Sequence, residues 1–397
     1  MEISNVIFLL EVPFSLRDED RFGVQILQKR GLRVEVWDVS DLYLPRRALS
    51  FTEDSSTIQV TVVTREAQLK SLAESLSAET VIFVQSGVQG TRVRNSHSAI
   101  RQVMQTKAKL ATISVGHMAP THDPSLSRIR SLVGAMKSQL LRFVGSAMSS
   151  LEGPTKGSRK LDYVWAGTNT LDVRPRLVGR NTRRRIVHTF DYDIYLNKKK
   201  DSFEFQRPFI ALLHALGPSH PDRTLFGTHG DVSAHEFLQE FRKIATWVEE
   251  SSGMPVVIAA HPRTPRGSLD DVLANFRLTY GETAQVVAQA SHVVGINYST
   301  ATSFAVLNRR PLTLVRSRVL QDSALRRAEV EMLCELLSCN LVSAYQPGID
   351  WKSTKVDEEA YCMFEQEYIK KPGTPERPFW EVVADDLVNG SITKLDP

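Results

Sequence analysis

The order of hydrophobic and polar positions predicts strands that alternate with helices. Runs rich in β-branched residues have the length of buried strands, and the segments between them carry apolar residues at helical spacing. In the first part of the chain, strands are predicted at 6–10, 33–40, 58–63, 80–85 and 110–115. Alternation of this kind is typical of a parallel sheet that is covered by helices. The first half is therefore predicted to be an α/β unit.

The second half repeats the alternation. A strand pattern at 208–216 is followed by a long amphipathic helix at 234–250. Further strands are predicted at 256–260, 276–280 and 292–295. The sequence thus predicts a second α/β unit of similar size.

The length of the chain favours more than one folding unit. Its 397 residues exceed what one core normally accommodates. We predict one Rossmann-like domain over 1–205, a second over 206–375, and a C-terminal segment, 376–397, whose helix packs back across the hinge.

Composition narrows the class of protein. The hydrophobic content of 42% and the charged content of 24% are those of a soluble globular protein. The net charge is only +4, but basic runs occur at 183–185 and 198–200. These runs are either a solvated surface or a region that meets an anionic lipid or substrate. Because they are not interleaved with stacking aromatic residues, nucleic acid is not expected as a partner.

Cysteine usage and the N-terminus point to the cytoplasm. The 3 cysteines, Cys334, Cys339 and Cys362, are odd in number and lack CxxC spacing, which favours neither a disulfide framework nor a zinc knuckle. The first residues lack a basic region and read as a strand rather than a signal peptide. No apolar run approaches the roughly 20 residues that cross a bilayer. A cytoplasmic protein is expected, with peripheral contact to an inner membrane as a further expectation.

Polar side chains follow two predicted strands of the second half. His261 ends one strand, and Ser299, Thr300 and Thr302 follow the strand 292–295, just before a predicted helix. Ligands of parallel sheets bind outside the carboxyl ends of the strands, where amides at a helix start favour anions. We expect the two strand ends to lie side by side and to form a phosphate site. The structural alternatives are a packing role for His261 and helix capping by the hydroxyls.

Five segments carry a family resemblance, and they span most of the chain: LLEVPFSLRDEDRFG (9–23), HTFDYDIYL (188–196), HPD (220–222), IAAHPR (258–263) and YSTATSFAVLNRRPL (298–312). The last two are the most specific. Together they resemble glycosyltransferases of the GT-B type from bacterial surface polysaccharide biosynthesis, which make capsule or lipopolysaccharide.

The resemblance implies two Rossmann-like domains that face a cleft, with the acceptor on the first and a nucleotide sugar on the second. It implies transfer to a surface glycan or lipid-linked acceptor, without a metal or other cofactor. The His261–Pro262 dipeptide and the Ser299–Thr300 pair are also similar to transferases that use CMP-linked sialic acid or Kdo, so a CMP- or UDP-linked donor is expected. The first half departs from the sialyltransferase pattern because it lacks a clear acidic D/E-D/E-G motif. The predicted donor-binding residues are His261, Arg263, Tyr298, Ser299, Thr300, Thr302 and Thr283.

Glycosyl transfer also needs a general base for the acceptor hydroxyl. Glu11, at the end of the first predicted strand, is the best-placed candidate, and Asp123 is comparable. His117 and His122 are further candidates in the same segment. For each of them a role as a loop residue is the alternative. The predicted catalytic residues are His261, Glu11 and Asp123.

Asp191 and Asp193 form a DxD sequence within 185–196, a stretch that is predicted as a strand. On a strand both carboxylates would face one way, as a bound cation requires. No metal is nevertheless expected, because the two-lobed architecture suits metal-independent transfer. The alternative is that both aspartates, with His188 and His220, shape the cleft between the domains.

Two rival functions stay open. A non-hydrolysing UDP-N-acetylglucosamine 2-epimerase would use the same fold and a similar hydroxyl-lined phosphate site. A non-catalytic subunit would bind the nucleotide sugar or glycan and scaffold a synthase.

Overall fold

The computed structural model describes two parallel sheets. It covers residues 3–11, 13–14, 16–42, 58–84, 102–115, 159–168, 177–197, 205, 207–219, 232–322, 324–390 and 392. Within these ranges one sheet has seven strands and the other has six.

The first sheet has the strand order β3-β2-β1-β4-β5-β6-β7. Its strands are β1 (Asn5–Leu10), β2 (Arg33–Asp38), β3 (Gln59–Val62), β4 (Thr80–Val84), β5 (Lys109–Ser114), β6 (Tyr163–Ala166) and β7 (Arg183–Ile186). Each neighbouring pair is parallel. The first strand lies in the centre and the chain winds outward to both sides, as in a doubly wound Rossmann sheet.

The second sheet has the corresponding order β10-β9-β8-β11-β12-β13, and its strands are also parallel. They are β8 (Ile210–Leu213), β9 (Val256–Ala260), β10 (Arg277–Tyr280), β11 (His292–Gly295), β12 (Leu312–Arg316) and β13 (Asn340–Ser343). The strands β8, β9 and β11 are buried throughout. Burial on both faces explains why they appear in the sequence as continuous apolar runs.

Helices cover both sheets. They are α1 (Leu16–Arg21), α2 (Val24–Lys29), α3 (Glu66–Glu74), α4 (Phe190–Asn197), α5 (Ala234–Ser252), α6 (Thr283–Gln289), α7 (Thr302–Leu307), α8 (Ala324–Leu337), α9 (Glu358–Phe364) and α10 (Phe379–Asn389). The long helix α5 begins with a capping box between Ser233 and Glu236, and it buries the predicted face with Phe237, Phe241 and Ile244.

The C-terminal helix α10 belongs to the core of the first sheet. Phe379, Trp380 and Val383 are buried in one cluster with Phe8 and Phe83. The Trp380 ring lies edge-on to both phenylalanines, at 5.5 Å between ring centroids. The predicted α/β fold, with two Rossmann-like sheets and a C-terminal helix that returns to the first, is confirmed.

The segment between β1 and β2 forms two short helices, α1 and α2, rather than one continuous helix. Gly23 separates them with a φ of 56°. A Cβ at Gly23 would lie 2.2 Å from Trp380 Cγ, so the returning helix packs directly against this backbone. The break therefore accommodates the indole ring.

None of the helices formed by the described residues combines the length and apolar character needed to span a membrane.

Candidate functional site

The strand ends that carry His261 and Ser299 are not neighbours. The central strand β8 lies between β9 and β11, so the expectation that the two ends lie side by side was wrong. The reason is the winding of the chain, which leaves the centre through β9 and β10 and restarts at β11 on the other side of β8. In such a sheet ligands bind where the winding reverses, between β8 and β11.

This order brings His214 into the site. His214 directly follows β8 and is 8% exposed, with its ring edge-on to Phe241. Burial lowers the pKa of His214 to about 4. The ring is therefore neutral near pH 7. Its Nδ1 accepts a hydrogen bond from the backbone N–H of His261 at 3.5 Å, which places the proton on Nε2.

The sequence analysis does not single out His214, because this residue lies inside the predicted strand 208–216. A usable signal was present. The first strand of a doubly wound sheet is central, so a polar residue near its carboxyl end lies beside the ligand position.

His261 directly follows β9 and is partly buried. Its Nδ1 accepts a hydrogen bond from the Arg263 N–H at 3.1 Å, and its carbonyl oxygen accepts one from the Thr264 N–H at 2.8 Å. These bonds close a tight turn and orient the imidazole. Thr264 Oγ1 is buried in the same turn without a hydrogen-bond partner in the structure.

The segment between β11 and α7 carries Tyr298, Ser299 and Thr300, all partly buried. Ser299 Oγ accepts a hydrogen bond from the Ala301 N–H at 3.2 Å. Thr302 is buried, and its hydroxyl donates to the Ser299 carbonyl oxygen at 2.6 Å. Thr302 therefore holds the turn from inside. The helix α7 has only six residues, so its dipole adds less to anion binding than a long helix would.

The remaining donor-site candidates separate into two groups. Arg263 lies in the turn after β9, next to His261. Thr283 begins α6 after β10, the edge strand, which is two strands from β8. At the usual strand spacing this is roughly 10 Å from the centre. Burial raises the pKa of Tyr298, so its hydroxyl stays a hydrogen-bond donor.

Glu11 occupies the matching position in the first sheet. It directly follows β1, beside the point where the winding reverses between β1 and β4, and is 7% exposed. Asp123, the other candidate base, lies outside the described residues, as do His117, His122 and His220.

The strand prediction for 185–196 was wrong beyond Ile186. Asp191 and Asp193 lie on helix α4. Residues two apart on a helix point to different sides, so these carboxylates do not form the one-sided pair that the strand prediction implied. Tertiary packing explains the helix, because Tyr192 is buried in the core of the second sheet. No group of three or more His, Cys, Asp and Glu residues suited to a metal occurs in the described ranges.

His188 and Asp193 connect the two chain segments that run between the sheets. His188 is fully buried, and its Nδ1 and Nε2 lie 3.0 and 2.9 Å from the carbonyl oxygens of Thr189 and Arg377. Asp193 Oδ1 accepts a hydrogen bond from the Phe379 N–H at 2.7 Å. These two residues therefore hold the returning segment in place, and His188 does not line an open cleft.

Comparison with known proteins gives structural similarities of low sequence identity. The sequence matches no family model, and no curated protein matches it. The chain is similar to CalG4, the calicheamicin glycosyltransferase, with a TM-score of 0.44 and 14% identity over 86% of each chain. It is similar to a UDP-N-acetylglucosamine 2-epimerase, with a TM-score of 0.45 and 12% identity over 100% of this chain and 99% of the other. It is also similar to WaaG, a glycosyltransferase involved in lipopolysaccharide biosynthesis, with a TM-score of 0.38 and 12% identity over 97% of this chain and 100% of the other.

Proposed function

We propose that the protein transfers a sugar from a nucleotide-sugar donor to a surface glycan or a lipid-linked acceptor. One observation carries the proposal. The doubly wound order of the second sheet brings His214, His261 and the Tyr298–Thr300 segment to the carboxyl ends of three strands that are neighbours in the sheet, β9, β8 and β11. Sheets of this order bind nucleotides and related anions at this edge.

In the proposed reaction these groups bind the donor phosphate. His261 stabilises the negative charge that grows on the leaving nucleotide, and the hydroxyls of Ser299 and Thr300 anchor it. Fixed donors act most strongly on charge that develops in the transition state. The neutral His214 ring holds the backbone of His261, and Arg263 adds a positive charge beside it.

The acceptor side of the proposal uses the first sheet. Glu11 is the proposed general base, and Asp123 stays the alternative. The donor is proposed to be CMP- or UDP-linked, the sugar to be a hexose, sialic acid or Kdo, and the transfer to need no metal. The product is proposed to be capsule or lipopolysaccharide, made in the bacterial cytoplasm at the periphery of the inner membrane.

A thermal-shift screen tests donor binding. CMP, UDP, GDP, ADP and dTDP are added with and without magnesium, because a ligand that binds only the folded state raises the Tm. We expect one nucleotide to raise the Tm irrespective of magnesium. The shift should be lost in His261→Ala and kept in His235→Ala, since His235 is exposed on α5.

Two results would change the assignment. A Tm that no nucleotide moves would favour a scaffold subunit that binds the glycan. A shift that strictly needs magnesium would contradict metal-independent binding. Incubation with the donor alone then separates transferase from epimerase, because an epimerase turns over without an acceptor.

A further inference from the structure

The side chain of Gln321 joins the carboxyl ends of β11 and β12. Its Nε2 donates hydrogen bonds to the carbonyl oxygens of Ile296 and Val315, the second at 3.2 Å. Its Oε1 accepts one from the Ser317 N–H at 2.7 Å. Gln321 is 1% exposed, so this amide serves only groups inside the protein.

A glutamine is needed at this position because the sheet opens there. The pairing of β11 with β12 runs from Val293 and Leu312 to Gly295 and Leu314, and then stops. The next backbone groups, which include the carbonyl oxygens of Ile296 and Val315, are buried. Without Gln321 they would lack hydrogen-bond partners, at a cost in stability. An amide offers both the donors and the acceptor that these groups require. The side chain thus continues the sheet where the strands separate.

The bond to Ile296 bears on the proposed phosphate site. Ile296 is the first residue after β11, and the chain then runs directly through Tyr298 and Ser299. A fixed Ile296 carbonyl fixes the direction in which this segment leaves the sheet. Gln321 is itself held, because its N–H donates to the Ser317 carbonyl oxygen at 2.9 Å and its own carbonyl accepts from Arg327 Nη1 at 3.0 Å.

We propose that Gln321 is a positioning residue that sets the Tyr298–Thr300 segment for donor binding without touching the donor. This inference rests on the proposed function for its ligand. Its structural part, the ordering of residues 297–302, is independent of any ligand.

Gln321→Met tests the proposal, because methionine keeps the size of the side chain and removes all of its amide hydrogen bonds. Thr313→Val is the matched control. Thr313 is fully buried on β12, and its hydroxyl bonds to His292 Nε2 at 2.9 Å, near the opposite end of β11. Both variants lose buried hydrogen bonding on the same pair of strands, but only one loses it at the site.

Two readouts are compared. In hydrogen exchange on the ligand-free protein, we expect the amides of 297–302 to exchange about tenfold faster in Gln321→Met and to be unchanged in Thr313→Val. In titration with CMP and UDP, we expect affinity for whichever nucleotide binds the native protein to fall about tenfold in Gln321→Met only. If Gln321→Met does not fold, Gln321→Asn replaces it, since it keeps the amide and shortens its reach.

The outcomes are distinguishable. Native exchange rates at 297–302 in the Gln321 variant would overturn the inference, and so would faster exchange with unchanged nucleotide affinity. Equal losses in both variants would reduce Gln321 to general stability and also overturn it. If the native protein binds neither CMP nor UDP, the proposed CMP- or UDP-linked donor fails, whereas exchange at 297–302 still decides whether Gln321 orders the segment.

Discussion

Asp193 Oδ1 accepts a hydrogen bond from the backbone N–H of Phe379 at 2.7 Å. Asp193 lies on the first crossing from one sheet to the other, and Phe379 begins the helix that returns. The first N–H groups of a helix lack partners within the helix, so this carboxylate satisfies one of them from a distant part of the chain. His188 Nε2 lies 3.8 Å from the same carboxylate oxygen. One cluster thus ties together both crossings.

Replacement of Asp193 should separate the hydrogen bond from the charge. Asp193→Ala leaves the Phe379 N–H without its acceptor, and we expect the free energy of unfolding to fall by about 1–3 kcal/mol. Asp193→Asn keeps an acceptor oxygen, and burial raises the pKa of the native carboxyl, so loss of its charge costs less. Denaturant unfolding measures both. Equal losses in the two variants would contradict the role of the acceptor.

Acid should destabilise the second sheet and its helices through two buried histidines. Burial lowers the pKa of both His214 and His292 to about 4, whereas an unfolded histidine titrates near 6.5. The unfolded state therefore takes up protons first. The stability that both groups contribute is complete above about pH 6.5 and is lost as the pH falls toward 4, by up to roughly 3 kcal/mol for each group.

His292→Gln tests this dependence away from the site. His292 begins β11, at the opposite end from Ser299, and glutamine does not titrate. We expect the difference in unfolding free energy between pH 7 and pH 4.5 to be smaller in the variant than in the native protein. An unchanged difference would show that His292 does not bind its proton on unfolding.

The strands were predictable because each buried strand has an apolar sequence of its own. Residues 256–260 and 292–295 are buried on both faces, and each reads as an unbroken apolar run. The order of the strands was not predictable in this way. That β8 lies between β9 and β11 follows from the crossovers, and so His214 was missed while His261 and Ser299 were found at strand ends.

In the stretch after Ile186, the local pattern itself predicts the wrong secondary structure. Phe190, Tyr192 and Ile194 alternate with polar residues, which is the pattern of a strand. The structure forms a helix, in which Tyr192 packs on the core of the second sheet and Phe190 on that of the first, while Ile194 is 50% exposed. Contacts with two separate cores determine this helix, and its own sequence does not reveal them.

Gly23→Ala should be far more damaging than Gly31→Ala. Both glycines have positive φ, 56° and 81°, so either substitution costs about 1 kcal/mol in backbone strain. Only at Gly23 would the new Cβ meet another group, Trp380 Cγ at 2.2 Å, whereas nothing lies within 4 Å at Gly31. We expect a loss of about 3 kcal/mol or more for Gly23→Ala in denaturant unfolding. Similar losses would mean that Trp380 moves aside without cost.

Two adjacent carboxylates on the returning helix should differ in their contribution to stability. Asp386 is 2% exposed; its Oδ2 accepts from Trp165 Nε1 at 2.8 Å and its Oδ1 from Arg185 Nη1. Asp385 is partly exposed and pairs with Arg30 at 2.5 Å and with Arg377 at 2.6 Å. Asp386→Ala leaves a buried indole N–H and a partly buried guanidinium without their acceptor, and we expect it to cost about 3–5 kcal/mol.

Asp385→Ala is the matched control, because it removes a carboxylate from the next position of the same helix. Its two arginine partners are each more than a third exposed, so water solvates them once the carboxylate is gone, and we expect a smaller cost of about 1 kcal/mol. Denaturant unfolding followed by tryptophan fluorescence compares the two, since Trp165 and Trp380 both lie in this core. A smaller loss for Asp386→Ala than for Asp385→Ala would mean that the returning helix is held by its apolar face alone, with Phe379 and Trp380 as its anchors.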